Sequence, residues 1–549
     1  MKQISMLFGI LCLTFSMYGQ GTTTGSVTGR VTDLMGEVLP GATVTATHVP
    51  SGTVVGTTAN DEGYYRLENL RIGGPYTLKA SYTGYGETAV EGIEIRVGET
   101  QKYDFKLLDQ ATELTTVEVV ASASNTGKSA GASTQISTEA IDRLPTLNRD
   151  IDDYLRLTPQ ASGYSDGTTF GGINNRYNAI YIDGAVNNDV FGLASSGTNG
   201  GQTGISPFSI DIIDQFQVAL SPYDVSLGGF AGAAINAVTK SGTNQLQGTA
   251  YYFIQNEGMV GKTNQQLIDR TPAEDKPAKV ADFTKSTYGA SLGGPIIKDK
   301  LFFFTNVEIQ HDETPAPFNF GTYTGNDTQD SLNMLTDFLK NTYNYDPGSY
   351  TDLGDKLDGT KFFGKLDWNL STNHRLTIRH NYTKAEQYDL TPNATNRINF
   401  YNTGIYFPST TNTSAIELNS QFGTNTSNNL ILGFTSVRDD RDPAGSDFPY
   451  VIIEDGGSNT IRIGSEEFST ANKLDQNIFT ITDNFKIFKG AHTFTLGTHN
   501  EFYSIYNLFI GQNYGTYRYT SIGSFMNPQQ IAKEFDRAYS LVDDITGDG

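Results

Sequence analysis

The run Phe362-Phe363-Gly364-Lys365-Leu366-Asp367-Trp368-Asn369-Leu370-Ser371-Thr372-Asn373-His374-Arg375-Leu376-Thr377-Ile378-Arg379-His380-Asn381-Tyr382 alternates in character on both sides of a short polar turn. Even positions Phe362, Gly364, Leu366, Trp368 and Leu370 are apolar or small, and odd positions Lys365, Asp367 and Asn369 are polar. After the short Ser371-Thr372-Asn373 turn, Leu376, Ile378 and Tyr382 oppose Arg375, Thr377, Arg379 and Asn381. Side chains of a strand alternate between its two faces, so this is a hairpin with one oily and one wet face. The pattern returns downstream. Ile416, Leu418 and Phe422 oppose Glu417, Asn419 and Gln421; Phe479, Ile481, Phe485 and Ile487 form another stripe; and Lys489-Gly490 turns the chain into His492, Phe494 and Leu496.

Each stretch approaches the ~9–11 residues that cross a bilayer when tilted. In lipid every backbone donor and acceptor needs a partner, so strands must pair with one another. Tight turns alternate with long polar segments, 256–284 and 312–359, which is the asymmetry of short periplasmic turns and long outer loops. A soluble array of β-sandwiches with one wet face is the competing reading, and it does not account for that asymmetry. Trp368 and Phe488, beside short turns, are expected in the aromatic belt at the membrane surface.

Composition agrees. Of 549 residues, 37% are apolar and only 18% charged, with 58 glycines, 30 tyrosines and 32 phenylalanines against one tryptophan. That is low in both classes for a compact cytosolic enzyme and too poor in charge for a disordered chain. A formal net charge of -22 argues against a nucleic-acid partner. Residues 1–19 read as a secretory signal: Lys2, an apolar run Met6 to Phe15, and small or neutral residues before Gln20. The one cysteine, Cys12, lies inside it, so disulfide frameworks and cysteine zinc sites are excluded.

Four further regions follow the signal. Residues 24–108 carry short alternating stretches separated by turn signals such as Asn60-Asp61-Glu62-Gly63, the pattern of a small β-sandwich. Residues 109–135 form a linker rich in Thr, Ser, Ala and Gly, with one β-prone run, Glu113 to Val120. That run is either the sandwich's last strand or an exposed peptide suited to adding a strand to a partner's sheet edge. Residues 136–243 are mixed α+β, with short helical character over 138–147 and 148–157 and a strand ending at Asp183-Gly184. Residues 245–549 hold the alternating strands.

Gly29-x-Val31-x-Asp33-x-x-Gly36-x-x-Leu39-x-Gly41-Ala42-x-Val44, with Gly63-x-Tyr65-x-Leu67 and Tyr82-x-Gly84-Tyr85, resembles the carboxypeptidase regulatory-like domain, a non-catalytic module. The next region resembles the plug domain of TonB-dependent outer-membrane receptors. Asp150 to Pro159 is similar to its helix-then-Thr-Pro element, Tyr181-Ile182-Asp183-Gly184 to its strand and turn, and Ala233 to Lys240 to its closing strand. Gly293-Gly294-Pro295 to Phe304 resembles the early barrel hairpin of Oar-like members, which carry such an N-terminal domain.

The resemblance implies a mainly β chain: signal peptide, small β-sandwich, mixed α+β plug, and the N-terminal part of a transmembrane antiparallel β-barrel. It also implies that Thr116, Val117, Glu118, Val119 and Val120 occupy the place of the TonB box, and that Arg176, Asp183 and Gly184 belong to the plug motif. Family members often have Arg-Gly upstream of the Asp-Gly turn, whereas here Arg176 precedes Tyr177. The implied partners are TonB with ExbB and ExbD, outer-membrane lipid, and a large extracellular ligand; no cofactor is implied. A barrel-anchored adhesin or receptor without active transport is the alternative. Family barrels have about 22 strands, while the alternation here supplies about nine or ten. With the loop-like ending Asp543 to Gly549, that reads as a fragment of a longer protein or as the product of a truncated gene.

Other chemistry is weak. Gly163-Tyr164-Ser165-Asp166-Gly167 matches the serine-hydrolase elbow, but Thr158-Pro159 before it and Thr168 to Gly172 after it read as loop. The six histidines hold no H-E-x-x-H, and Asp543 to Gly549 lacks the spaced ligands of an EF-hand. The expectation is therefore a protein that is not an enzyme.

Overall fold

The computed structural model describes residues 21–109, 123–124, 132–144, 146, 149–164, 167–221, 226–262, 280–490 and 492–539. The chain opens with eight strands: β1 (Thr24–Asp33), β2 (Thr43–His48), β3 (Thr53–Thr58), β4 (Tyr64–Arg71), β5 (Gly73–Ser81), β6 (Thr88–Ile95), β7 (Thr100–Tyr103) and β8 (Phe105–Leu107). One sheet runs β4-β1-β7 with β8 also on β1, and the other runs β3-β2-β5-β6. Alternation places Val27, Val31, Val44, Leu67, Leu78 and Phe105 between the sheets. Gly63 adopts φ +78, and a Cβ there would meet the Val31 carbonyl at 2.9 Å, so the β3–β4 turn requires glycine. A dipeptide strand β9 (Ala123–Ser124) pairs with the free side of β7.

The next unit is a mixed sheet in the order β10-β15-β16-β13-β14, from β10 (Ser133–Ile136), β13 (Ala179–Ile182), β14 (Ala185–Val186), β15 (Ile213–Ala219) and β16 (Ala234–Thr239), with a hairpin of β11 (Ala161–Tyr164) and β12 (Gly167–Phe170). The two helical segments are shorter than the sequence suggests: Thr138–Arg143, capped by Ser137, and one turn at Asp152–Leu155. Its core, including Tyr154, Phe170, Ile180, Phe216 and Ile235, continues into Phe304 and Phe363 of the adjoining wall. Ser165 lies outside the described residues, and its flanks form the antiparallel β11–β12 hairpin, not the strand-to-helix turn of a nucleophile elbow.

The wall is one antiparallel sheet of nine strands: β17 (Gln247–Asn256), β18 (Thr284–Ile297), β19 (Leu301–Thr314), β20 (Asp355–Asn369), β21 (His374–Asp389), β23 (Ile405–Phe422), β24 (Thr426–Pro443), β27 (Asn472–Lys489) and β28 (His492–Phe509). Short turns join them on the side of the sandwich. Residues on the expected oily face do point outward, with Phe362, Leu366 and Trp368 about two-fifths exposed, while Lys361, Lys365, Asp367 and Arg379 are buried on the inner face, which is covered by the sandwich and by the mixed-sheet unit, here called the plug after the resemblance. Phe488 departs from the belt expectation. It falls on the inward parity of β27 and is buried under the Arg66 guanidinium of the sandwich. Among the described residues β17 and β28 each have one unpaired edge.

The far-side loops are more than polar connections. They contribute the helix Gln329–Tyr343, capped by a reciprocal Thr328–Ser331 box, and a second sheet in the order β22-β26-β25-β29-β30. Its strands are β22 (Arg397–Asn399), β25 (Tyr450–Glu454), β26 (Thr460–Ile463), β29 (Thr516–Tyr519) and β30 (Glu534–Asp536). Leu332, Leu335, Leu339, Ile398, Ile453, Ile461 and Ile522 give this surface layer its own apolar core.

Candidate functional site: the plug–wall contact

Thr116, Val117, Glu118, Val119 and Val120 lie outside the described residues. The site that the structure builds is the contact around Asp183. Strand β13 is buried along its whole length, and the chain then reverses through Asp183 (φ +42) and Gly184 (φ +75) into β14. Two successive left-handed residues make a tight hairpin turn, for which Asp-Gly is a favoured pair. Gly184 faces the wall, where a Cβ would sit 2.6 Å from Ile431 Cδ1, and its φ of +75 strains a residue with a side chain.

The turn aims the Asp183 carboxylate at polar partners. It accepts hydrogen bonds from Thr239 N (2.8 Å) and Thr239 Oγ1 (2.6 Å), which tie β13 to the end of β16. Across the interface it meets Arg379 Nε at 3.4 Å and Lys365 Nζ at 3.7 Å, from adjacent wall strands. Lys365 Nζ also donates to Thr239 O (3.1 Å) and Oγ1 (3.0 Å), and Arg379 donates to the Ile182 carbonyl. All three charged side chains are at least nine-tenths buried. Buried ions persist only when paired, so each group makes the others tolerable.

Two further contacts repeat this arrangement. Glu308 of β19 accepts from Ser209 Oγ of the plug (2.5 Å), Tyr251 OH (2.7 Å) and Lys361 Nζ (2.9 Å). Nearer the outer loops, Gln202 Nε2 donates to Asp439 (2.7 Å), and Asn381 and Thr383 both donate to the Pro207 carbonyl. The stopper is thus held in the wall by hydrogen bonds and buried ion pairs, with Phe304 and Phe363 among its apolar contacts.

Arg176 stands apart. It is exposed on the short 3-10 turn Asn175–Tyr177, where its backbone N–H donates to Asn174 Oδ1. The cations facing Asp183 come from the wall instead. Lys365 and Arg379 were visible in the sequence as wet-face residues, but nothing local marked them as partners of a residue about 180–200 positions earlier. Among the described residues no cluster of His, Cys, Asp and Glu could hold a metal ion. His374 and His380 are bonded to Ser420 and Ser414.

The family described as "Outer membrane beta barrel domain" matches residues 238–347 and 331–547, and "Carboxypeptidase regulatory-like domain" matches 26–108. The chain is 24% identical over 334 residues to the TonB-dependent transporter Oar of Myxococcus xanthus, a match covering 59% of this chain and 30% of the relative. Among solved structures, it is similar to the outer membrane transporter YddB of Escherichia coli, with TM-score 0.49, 16% identity, and 73% of this chain and 51% of that one covered. It is also similar to the siderophore receptor PirA of Acinetobacter baumannii, with TM-score 0.43, 14% identity, and 68% and 48% covered. The chain therefore spans about a third of the curated relative and about half of these solved structures.

Proposed function

The chain belongs to the outer-membrane β-barrel family and is an outer-membrane protein, and from that premise we propose that it is part of a TonB-dependent receptor that moves a large ligand across the outer membrane. The observation that carries this is the buried contact of Asp183 with Lys365 and Arg379. A lumen filled by a polar stopper, held by desolvated charges, does not empty spontaneously. The outer membrane has no nucleotide source of work, so the work comes from the inner membrane. In this reading ligand bound at the outer loops frees the Thr116 to Val120 segment, TonB captures it by strand addition, and ExbB and ExbD convert the proton gradient into a pull. The relative's printed name, a TonB-dependent transporter, supports the reading.

Val117→Pro with Val119→Pro tests it, because proline removes the N–H groups that a paired strand needs. Proton-gradient-dependent passage of cargo should be lost while the folded amount in the outer membrane is unchanged. Unchanged passage would favour a barrel-anchored surface receptor that does no transport.

A further inference from the structure

The N-terminal sandwich has no part in the step just described, yet it is firmly docked. Its leading residues enter the gap beside the Asp183–Gly184 turn. Thr22 N donates to Asn236 Oδ1 of the plug at 3.4 Å, and Thr23 Oγ1 donates to Glu417 Oε1 of the wall at 2.6 Å, a buried contact. A Cβ on Gly21 would lie 2.5 Å from Tyr181 Cβ, so this peg fits its slot only without a side chain at that position.

Strand β4 supplies the ion pairs. Arg71 pairs with Asp367 of β20 at 3.1 Å, and Glu68 pairs with Lys486 of β27 at 3.2 Å. Arg66 donates to Thr493 Oγ1 of β28 at 2.7 Å and lies over Phe488. On the other flank, Asn369 Nδ2 donates to Thr53 Oγ1 at 2.9 Å and Asn244 N to the Pro50 carbonyl. Between the flanks, Ile72 and Val97 of the sandwich close onto Val238 of the plug. The contacts reach wall strands from β20 to β28 and the plug beneath them. Two ion pairs, several hydrogen bonds and a small apolar contact make a mainly polar interface, of the kind that separates without exposing much oily surface.

We propose that the sandwich is a periplasmic lid, pegged by Gly21 to Thr23 and latched by Arg71–Asp367 and Glu68–Lys486, which covers the plug's periplasmic face and swings away before the plug moves. The lid stands independently of the transport reading; only the requirement that it open rests on that reading. The docked position places the lid directly under the Asp183 contact, so a plug displaced toward the periplasm would run into it.

The probe is a membrane-impermeant maleimide applied to outer-membrane fragments carrying Val238→Cys in the full chain, other cysteines replaced by serine. Labelling should be slow in that background. It should become faster by about tenfold or more with Arg71→Glu plus Glu68→Lys, because partly buried ion pairs become like-charge contacts. It should slow again when Asp367→Arg and Lys486→Glu restore the pairs with opposite polarity. Fast labelling throughout would overturn the lid, slow labelling throughout would overturn the latch, and failure of the second exchange to restore slow labelling would overturn the pairing. The requirement for opening is tested separately with Thr53→Cys/Asn369→Cys. The oxidised chain should fail to pass cargo and the reduced chain should pass it. Passage through the oxidised chain would overturn the requirement while leaving transport itself intact.

Discussion

The carboxylate of Asp183, at the tip of a plug hairpin, stands 3.4 Å from Arg379 Nε in the barrel wall, with both side chains almost wholly buried. Removing the anion leaves Arg379 and Lys365 desolvated and uncompensated, a loss of about 3–5 kcal/mol. Asp183→Asn isolates the charge, because asparagine tolerates the left-handed φ of +42 that alanine would strain. Urea unfolding of the plug, followed by protease susceptibility, should show a large drop for Asp183→Asn. Adding Arg379→Gln should recover part of it, the sign of a coupled pair.

Phe434 lies mid-strand in β24 and faces outward, while Thr435 beside it faces the lumen. Phe434→Arg should cost about 2–4 kcal/mol if that face meets the bilayer midplane. The measurement is the folded fraction in lipid vesicles. Nitroxide labels placed successively over 430–438 should alternate between oxygen and polar-relaxant accessibility.

His48 is buried in the sandwich, bonded through Nδ1 to Ser51 Oγ at 2.7 Å. Burial, with Arg71 and Arg375 nearby, pushes its imidazole down to about 3. The folded state keeps it neutral, whereas the unfolded chain takes up a proton below about 6.5. Stability from this group is therefore complete above that pH and is lost as pH falls from about 6.5 toward 3. Thermal unfolding of the sandwich should be acid-sensitive across that window, and His48→Gln should flatten the dependence.

Leu335 packs at the centre of the surface layer formed by the outer loops. Leu335→Ala should cost about 2–5 kcal/mol there through the cavity it leaves. Hydrogen exchange should show the helix Gln329–Tyr343 losing protection while β17 to β28 retain theirs.

What the sequence disclosed was the local period. Stripes such as Phe362, Leu366 and Trp368 named both the strands and their outer face, because burial in lipid and burial against a plug select opposite residue types at adjacent positions. Phe488 was misread because nearness to a turn says nothing about parity; counting from Phe479 would have placed it inside. The surface layer was missed because its apolar residues come from four separate loops, although Leu332, Leu335 and Leu339 carried a helical spacing within a segment read as polar. Asp183 was legible as the turn of a familiar motif, but its partners were not, since an ion pair between distant strands leaves no local trace. Arg176, selected on the same motif, has a different neighbourhood.

In the proposed transport cycle, work reaches the plug through strand addition at Thr116 to Val120. Single cysteines at each of these five positions, tested in energised cells against cysteines along the sheet edge of TonB, measure it most directly. Disulfides should form in one fixed register and should be lost when the proton gradient is collapsed and with Val117→Pro/Val119→Pro. No cross-link to TonB at any of the five positions, in cells where the chain is folded in the outer membrane, would contradict it.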